Sequence, residues 1–175
     1  MTERERMEKI KSEWGAFILR AVAGTPVPEA LVAALVANES GGADGSKRFE
    51  PEVYGHLVRV QVGMETYYGS LKRADLRNLS DEALRGLATS WGPTQIMGYN
   101  AIAHGVDYLA LDTPPVSMEL TVKIILDDAR RFRLDPSKDF GALLKCWNTG
   151  GPSGKTFDPL YVLKGMQRLR LYAEV

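Results

Sequence analysis

Leu31-Val32-Ala33-Ala34-Leu35-Val36-Ala37-Asn38-Glu39-Ser40-Gly41-Gly42 is the stretch from which the fold can be read. Its opening residues form helices well and are apolar on nearly every face, a pattern that belongs to a buried helix and not to a surface one. The run delivers one carboxylate, Glu39, just before a glycine pair able to supply the left-handed residue at which helices commonly stop. That placement is locally unfavourable, because the last turn of a helix carries partial negative charge and costs an anion roughly 0.3–1 kcal/mol. Local rules tend to be broken at working sites. The helix end and the apolar surroundings both disfavour the ionised form, so the sequence predicts a raised pKa for Glu39, the property a general acid needs near neutral pH.

Working outward, Ile10, Trp14, Phe17, Ile18 and Ala21 recur at three- and four-residue intervals and predict an amphipathic helix over about 4–23. Gly24-Thr25-Pro26-Val27-Pro28 ends it and opens the buried helix. A polar loop is expected from Gly41 to Arg48. The run 49–62 is read as helix on Val53, Leu57 and Val60, although its end could equally form a short strand. Residues 63–79 carry no decisive pattern. Ser80-Asp81-Glu82 looks like a cap with acids in the first turn, opening a helix to about Thr89. Ser90-Trp91-Gly92-Pro93 reads as a turn, and a helix is expected from about Thr94 to His104. Thr113-Pro114-Pro115 precedes a long helix with Leu120, Ile124, Ile125, Ala129 and Phe132 inward. A short helix follows over about 139–147. The last runs from about Asp158, with Leu160, Leu163, Met166 and Leu169 inward. The expectation is a single, mainly α-helical domain over residues 1–175 with little or no β structure, and residues 1–25 forming an N-terminal helix of unassigned role.

Composition narrows the function. The 175 residues can bury a core without staples, and 45% apolar with 25% charged residues is ordinary for a globular chain. Acidic and basic residues balance at 22 each, so no overall field draws the chain to nucleic acid or to an anionic membrane. No apolar run approaches the roughly 20 residues that span a bilayer. The single cysteine, Cys146, excludes an internal disulfide and reads as a small buried side chain. His56 and His104 lack partners at ligand spacing and read as surface or packing residues, so neither a metal nor another cofactor is expected. The N-terminus, Met1-Thr2-Glu3-Arg4-Glu5-Arg6, is charged and lacks the apolar core of a signal peptide. The expectation is synthesis in the cytoplasm, or a domain cut from a longer chain. Arg130-Arg131-Phe132-Arg133 suits the solvated end of a helix, where cations complement the dipole, better than a nucleic-acid site.

The interruptions at 38–42, 48–50, 90–100 and 147–161 each fall at the mouth of an expected helix, where a scaffold holds functional loops. They contain the residue types of a carbohydrate site. Trp91, Tyr99, Trp147 and Tyr161 could stack on sugar faces, Gln95, Asn100 and Asn148 could bind hydroxyl or N-acetyl groups, and carboxylates could move protons.

Taken in order, Glu39-Ser40-Gly41-Gly42, Arg48-Phe49-Glu50-Pro51, Ser90-Trp91-Gly92-Pro93-Thr94-Gln95-Ile96-Met97-Gly98-Tyr99-Asn100, Trp147-Asn148-Thr149-Gly150-Gly151 and Tyr161-Val162 resemble the lysozyme-like superfamily. The nearest groups are goose-type lysozymes, soluble lytic transglycosylases and phage N-acetylmuramidase domains. The resemblance covers about residues 30–162. It implies Glu39 as the catalytic acid at the end of a buried helix and Ser40 beside it. It also implies Gln95, Ile96 and Tyr99 lining the cleft, Trp147, Asn148 and Thr149 binding sugar, and Tyr161 near the acid. Two departures stand out: Trp147 replaces the usual tyrosine, and Lys155-Thr156-Phe157 stands where Glu-Thr is usual.

The implied substrate is the peptidoglycan glycan strand, cleaved at the β-1,4 bond between N-acetylmuramic acid and N-acetylglucosamine. Glu50 is either a second catalytic carboxylate, a general base giving inverting hydrolysis, or a structural helix start; Asp44, in Asp-Gly-Ser, suits a turn better. Without a second acid, Glu39 would act twice and yield a 1,6-anhydro product. A monomer released by a phage, carried on a virion or otherwise exported is the expected setting. The alternative is a non-catalytic glycan-binding or phage-structural module on the same fold.

Overall fold

The computed structural model describes residues 1–175 and is mainly helical. In chain order the elements are α1 (Glu3–Val22), α2 (Glu29–Glu39), β1 (Lys47–Phe49), α3 (Pro51–Val62), β2 (Tyr67–Tyr68), β3 (Leu71–Lys72), α4 (Arg73–Leu76), α5 (Asp81–Leu87), β4 (Thr89–Trp91), β5 (Ile96–Met97), α6 (Gly98–Ala103), α7 (Pro114–Phe132), α8 (Phe140–Thr149) and α9 (Tyr161–Glu174), with a 3-10 turn over Tyr108–Asp112. The chain forms two compact units, Met1–Ala43 with Met118–Val175, and Asp44–Ser117.

The first unit is built on α2. Every residue from Leu31 to Ala37 is buried, as its all-round apolar pattern requires. A capping box starts α1: Glu5 N–H donates to Thr2 Oγ1 and Thr2 N–H to Glu5 Oε2, at 3.2 and 2.6 Å. Met7, Ile10, Trp14, Ile18 and Val22 then form its buried stripe. The inward face of α9 is Tyr161, Gly165, Arg168 and Tyr172. This corrects the expected inward set at Leu160 and Leu163, which are 50% and 65% exposed, whereas Met166 and Leu169 do pack, partly buried, against the core. Gly165 decides it: a Cβ there would lie 2.7 Å from Leu144 Cδ1 and 3.1 Å from Asn38 Nδ2, so α9 packs through a residue without a side chain.

The second unit holds the short strands that the expectation of little or no β left unplaced. β4 is the centre of a three-stranded antiparallel sheet, pairing Arg48 with Ser90 on one side and Ser90 with Met97 on the other. Ser90 and Trp91 are therefore strand, and the turn falls after them. The helix expected from Thr94 begins only at Gly98 because Ile96 and Met97 pair with β4. Pro51 opens α3 in its first turn and Gly63, at φ 84°, closes it, while Leu57 and Val60 face the unit's own core with Leu71, Leu76, Leu84 and Leu87. No helix is long and apolar enough to cross a membrane.

Candidate active site

The end of α2 is fixed by local chemistry. Ser40 N–H and its hydroxyl both donate to Val36 O at 3.2 Å, and the same hydroxyl accepts from Gly42 N–H at 3.2 Å. Gly41 and Gly42 take φ values of 66° and 86°, and Trp14 Nε1–H donates to Gly42 O at 3.2 Å. Gly42 has no room for a side chain either, since a Cβ would lie 2.9 Å from Ile10 Cγ1. Ser40 thus serves as a helix terminator, and Glu39, half-buried, is presented from a rigid end.

Tyr161, the first residue of α9, is buried, and its hydroxyl donates to Glu39 Oε1. Asn38 Nδ2–H donates to the Tyr161 carbonyl at 3.1 Å, so the residue is held at both backbone and side chain. Burial, followed by the neighbouring Glu39 charge and the hydrogen bond to it, pushes the Tyr161 phenol far above its usual range. It therefore remains a proton donor throughout the neutral range.

Sequence reasoning missed Arg168. Buried to 8% exposure, it donates through Nε to Glu3 Oε2 at 2.7 Å, through Nη2 to Glu3 Oε1 at 3.2 Å, and through Nη1 to Ala37 O at 3.1 Å and Asn38 Oδ1 at 2.8 Å. The signal that could have found it is the stripe Tyr161, Gly165, Arg168, Tyr172, whose four-three-four spacing puts a charged side chain on the face led by Tyr161.

Trp147, Asn148 and Thr149 lie in the last turn of α8, in the same unit. Trp147 is half-buried against the apolar core and Asn148 is exposed. The Thr149 hydroxyl lies 2.9 and 2.8 Å from the carbonyls of Lys145 and Gly151, contacts that close the helix end. Thr156 Oγ1 donates to Asp158 O at 2.8 Å, a local turn contact.

Glu50, Gln95, Ile96 and Tyr99 belong to the other unit. Glu50 caps α3 through its backbone, Tyr54 N–H donating to its carbonyl, and makes no side-chain cap. Arg48 Nε lies 2.6 Å from Glu50 Oε1, an ion-pair contact without hydrogen-bond alignment. Asp44 Oδ1 accepts from Gly45 N–H at 2.9 Å, as a turn residue does. Gln95 stands at φ 54°, uncommon for a residue with a Cβ. Its Oε1 accepts from the Ser90 hydroxyl at 2.8 Å, and its Nε2–H groups donate to Ser46 O and Gly92 O at 3.1 and 2.9 Å. The amide that its residue type suggested for binding sugar is thus engaged in tying the residue before β1, β4 and the turn together. Ile96 is 2% exposed and Trp91 7%, both committed to packing. Tyr99 meets Tyr68 edge-on at 5.3 Å, and burial pushes its phenol up to about 12.

No group of three or more His, Cys, Asp or Glu side chains is placed to hold a metal ion. His56 instead contacts Glu65 through Nδ1 and stacks on Tyr68. No family model, curated protein or solved structure matches the chain. The site's chemistry therefore has to be read from its own geometry: one half-buried carboxylate at a rigid helix end, with a phenol hydrogen-bonded to it.

Proposed function

We propose that this chain is a peptidoglycan-cleaving enzyme of the lysozyme-like kind, with Glu39 as general acid at the β-1,4 bond between N-acetylmuramic acid and N-acetylglucosamine. The observation that carries the reading is the Tyr161 hydroxyl on the Glu39 carboxylate at the end of a buried helix. Cleavage passes through an oxocarbenium-like transition state, so the leaving oxygen must receive a proton as its bond to the sugar breaks. A carboxyl group held at a rigid helix end has the fixed aim this requires, and Tyr161 limits its rotation. Trp147 and Asn148, at the end of α8, supply an apolar face and an amide for the sugar.

The second half of the reaction has two routes. A water activated by Glu50 gives a reducing end and inverted configuration, which requires the two carboxyl groups to stand roughly 6.5–9.5 Å apart. Alternatively Glu39, once deprotonated, takes the proton of the muramic C6 hydroxyl, and that oxygen closes a 1,6-anhydro ring. Digestion of purified sacculi followed by mass spectrometry of the muropeptides separates them. Reducing ends identify a muramidase and products lighter by one water a transglycosylase, whereas no release by the wild type contradicts the proposal. The natural setting is the cell wall, reached by phage release, on a virion or by another export route.

The second reading, a non-catalytic glycan-binding or phage-structural module, draws on Gln95, whose amide is satisfied within the protein. Tight glycan binding without cleavage at any pH distinguishes it.

A further inference from the structure

A buried arginine is an expensive way to hold helices together. Taking a guanidinium and a carboxylate out of water is costly, and apolar residues of similar volume often hold such positions as well or better. Arg168 occupies such a position, and the targets of its donors suggest why. Nη1 reaches Ala37 O and Asn38 Oδ1, in the two residues immediately before Glu39. The Ala37 carbonyl is among those left without a partner where a helix ends, and a cation there complements the helix dipole. Because the Asn38 oxygen accepts from Arg168, its Nδ2 is turned to donate to the Tyr161 carbonyl, and Tyr161 in turn donates to Glu39. Glu3 holds the far side of the guanidinium with both oxygens, which gives a role to the N-terminal helix that sequence reading left unassigned.

We propose that Arg168, clamped by Glu3 of α1, is a positioning residue that sets the Glu39 carboxylate against the Tyr161 hydroxyl, acting through Asn38 and the start of α9. The inference rests on the reading of Glu39 as an acid and extends it to a chain of contacts running from residue 3 to residue 168. Lysine cannot replace Arg168, because one ammonium lacks the planar fork that serves Glu3 on one side and Ala37 and Asn38 on the other. The titratable and charged groups around this network are Glu39 of α2, Tyr161, Lys164 and Arg168 of α9, Asp158 just before it, and Glu3 and Arg6 of α1. Arg6 also pairs with Glu3, at 2.7 Å, and steadies the clamp.

The test follows the Glu39 carboxyl carbon by NMR as pH is varied, with its signal assigned by Glu39→Gln. Wild type is compared with Arg168→Lys, Arg168→Met and Glu3→Gln. Arg4→Gln is the control, since it breaks the exposed Arg4–Glu174 pair between the same two helices and leaves the network intact. Arg168→Lys and Glu3→Gln are expected to raise the Glu39 midpoint by about half a pH unit or more, because the phenol donor is no longer held on the carboxylate. The pH profile of muropeptide release shifts with it, and the control moves neither. An unchanged Glu39 midpoint in folded Arg168→Lys and Glu3→Gln overturns the inference, whatever becomes of Arg168→Met. If the wild type releases no muropeptide, the proposed function fails, while the carboxyl midpoint still decides the positioning role.

Discussion

Tyr161 and Glu39 lie 122 residues apart in sequence and share a hydrogen bond, phenol to carboxylate, where the first turn of α9 meets the last turn of α2. The contact joins an apolar helix that runs out at a glutamate, as its sequence led one to expect, to a tyrosine that the structure places at the start of the C-terminal helix, three residues beyond the expected start at Asp158. Removing the hydroxyl alone, in Tyr161→Phe, keeps the ring in the core. A hydrogen bond to a charged group contributes about 1.5–3 kcal/mol, so muropeptide release per folded molecule is expected to fall roughly 10–100-fold. Wild-type rates in Tyr161→Phe would remove the tyrosine from the mechanism.

The glycine pair behind Glu39 is a second point of test. Gly42→Ala places a Cβ in a left-handed conformation and against Ile10. Backbone strain of roughly 1–2 kcal/mol adds to the cost of overpacking, so urea unfolding is expected to show about 2–4 kcal/mol of lost stability. Gly41→Ala meets no neighbour and is expected to cost the backbone term alone.

Gln95 divides structural from substrate-binding roles. If its amide serves mainly to lock the sheet, Gln95→Ala removes the partners of Ser90, Ser46 and Gly92 and lowers stability by about 1–3 kcal/mol. Gln95→Gly relieves the positive φ and is expected to be the more stable of the two, by about 1 kcal/mol. Unchanged denaturant midpoints with weakened glycan binding would assign the residue to substrate instead.

The Glu3–Arg168 pair carries an acid dependence of defined sign. The hydrogen bond from Arg168 holds the Glu3 carboxyl below the usual carboxylate range, against an opposing effect of burial. A depressed folded-state pKa contributes stability that is fully present above the unfolded value of about 4.3 and is lost as pH falls through the folded value. Urea midpoints measured from neutral pH downward are therefore expected to fall less steeply below about pH 4.3 in Glu3→Gln than in wild type. The two slopes should agree between pH 6 and 8.

Cys146 is expected to resist alkylation in the folded protein. Burial, and then the charge of Asp128, push its thiol up to about 11, leaving little thiolate at pH 8. Reaction with iodoacetamide should track unfolding, and rapid labelling of the native chain would contradict this environment.

How far the sequence led depended on how many faces an element buries. The segment Leu31–Ala37 is apolar all round, so its burial needed no register, and the structure buries every residue of it. In α9 only one face is buried and leucines occur on two, so counting apolar residues selected Leu160 and Leu163, which are exposed, together with Met166 and Leu169, which pack beside the buried Gly165 and Arg168. The strands were hidden for a different reason: β1, β4 and β5 are two or three residues long, too short for alternation to register, and β1 pairs with a strand about forty residues away in the chain, a relation no local pattern carries. At the site, Glu39 could be read from the helix and Tyr161 from the resemblance, but the links through Asn38, Arg168 and Glu3 join parts of the chain that no local pattern relates.

The central claim is that Glu39 donates the proton that breaks a glycan strand. Its most direct test is the initial rate of muropeptide release from purified sacculi by wild type and by Glu39→Gln, each shown to unfold cooperatively in urea. Loss of a positioned general acid predicts a fall of roughly 10²–10⁴-fold with the fold retained. Release by folded Glu39→Gln at near the wild-type rate would contradict the account.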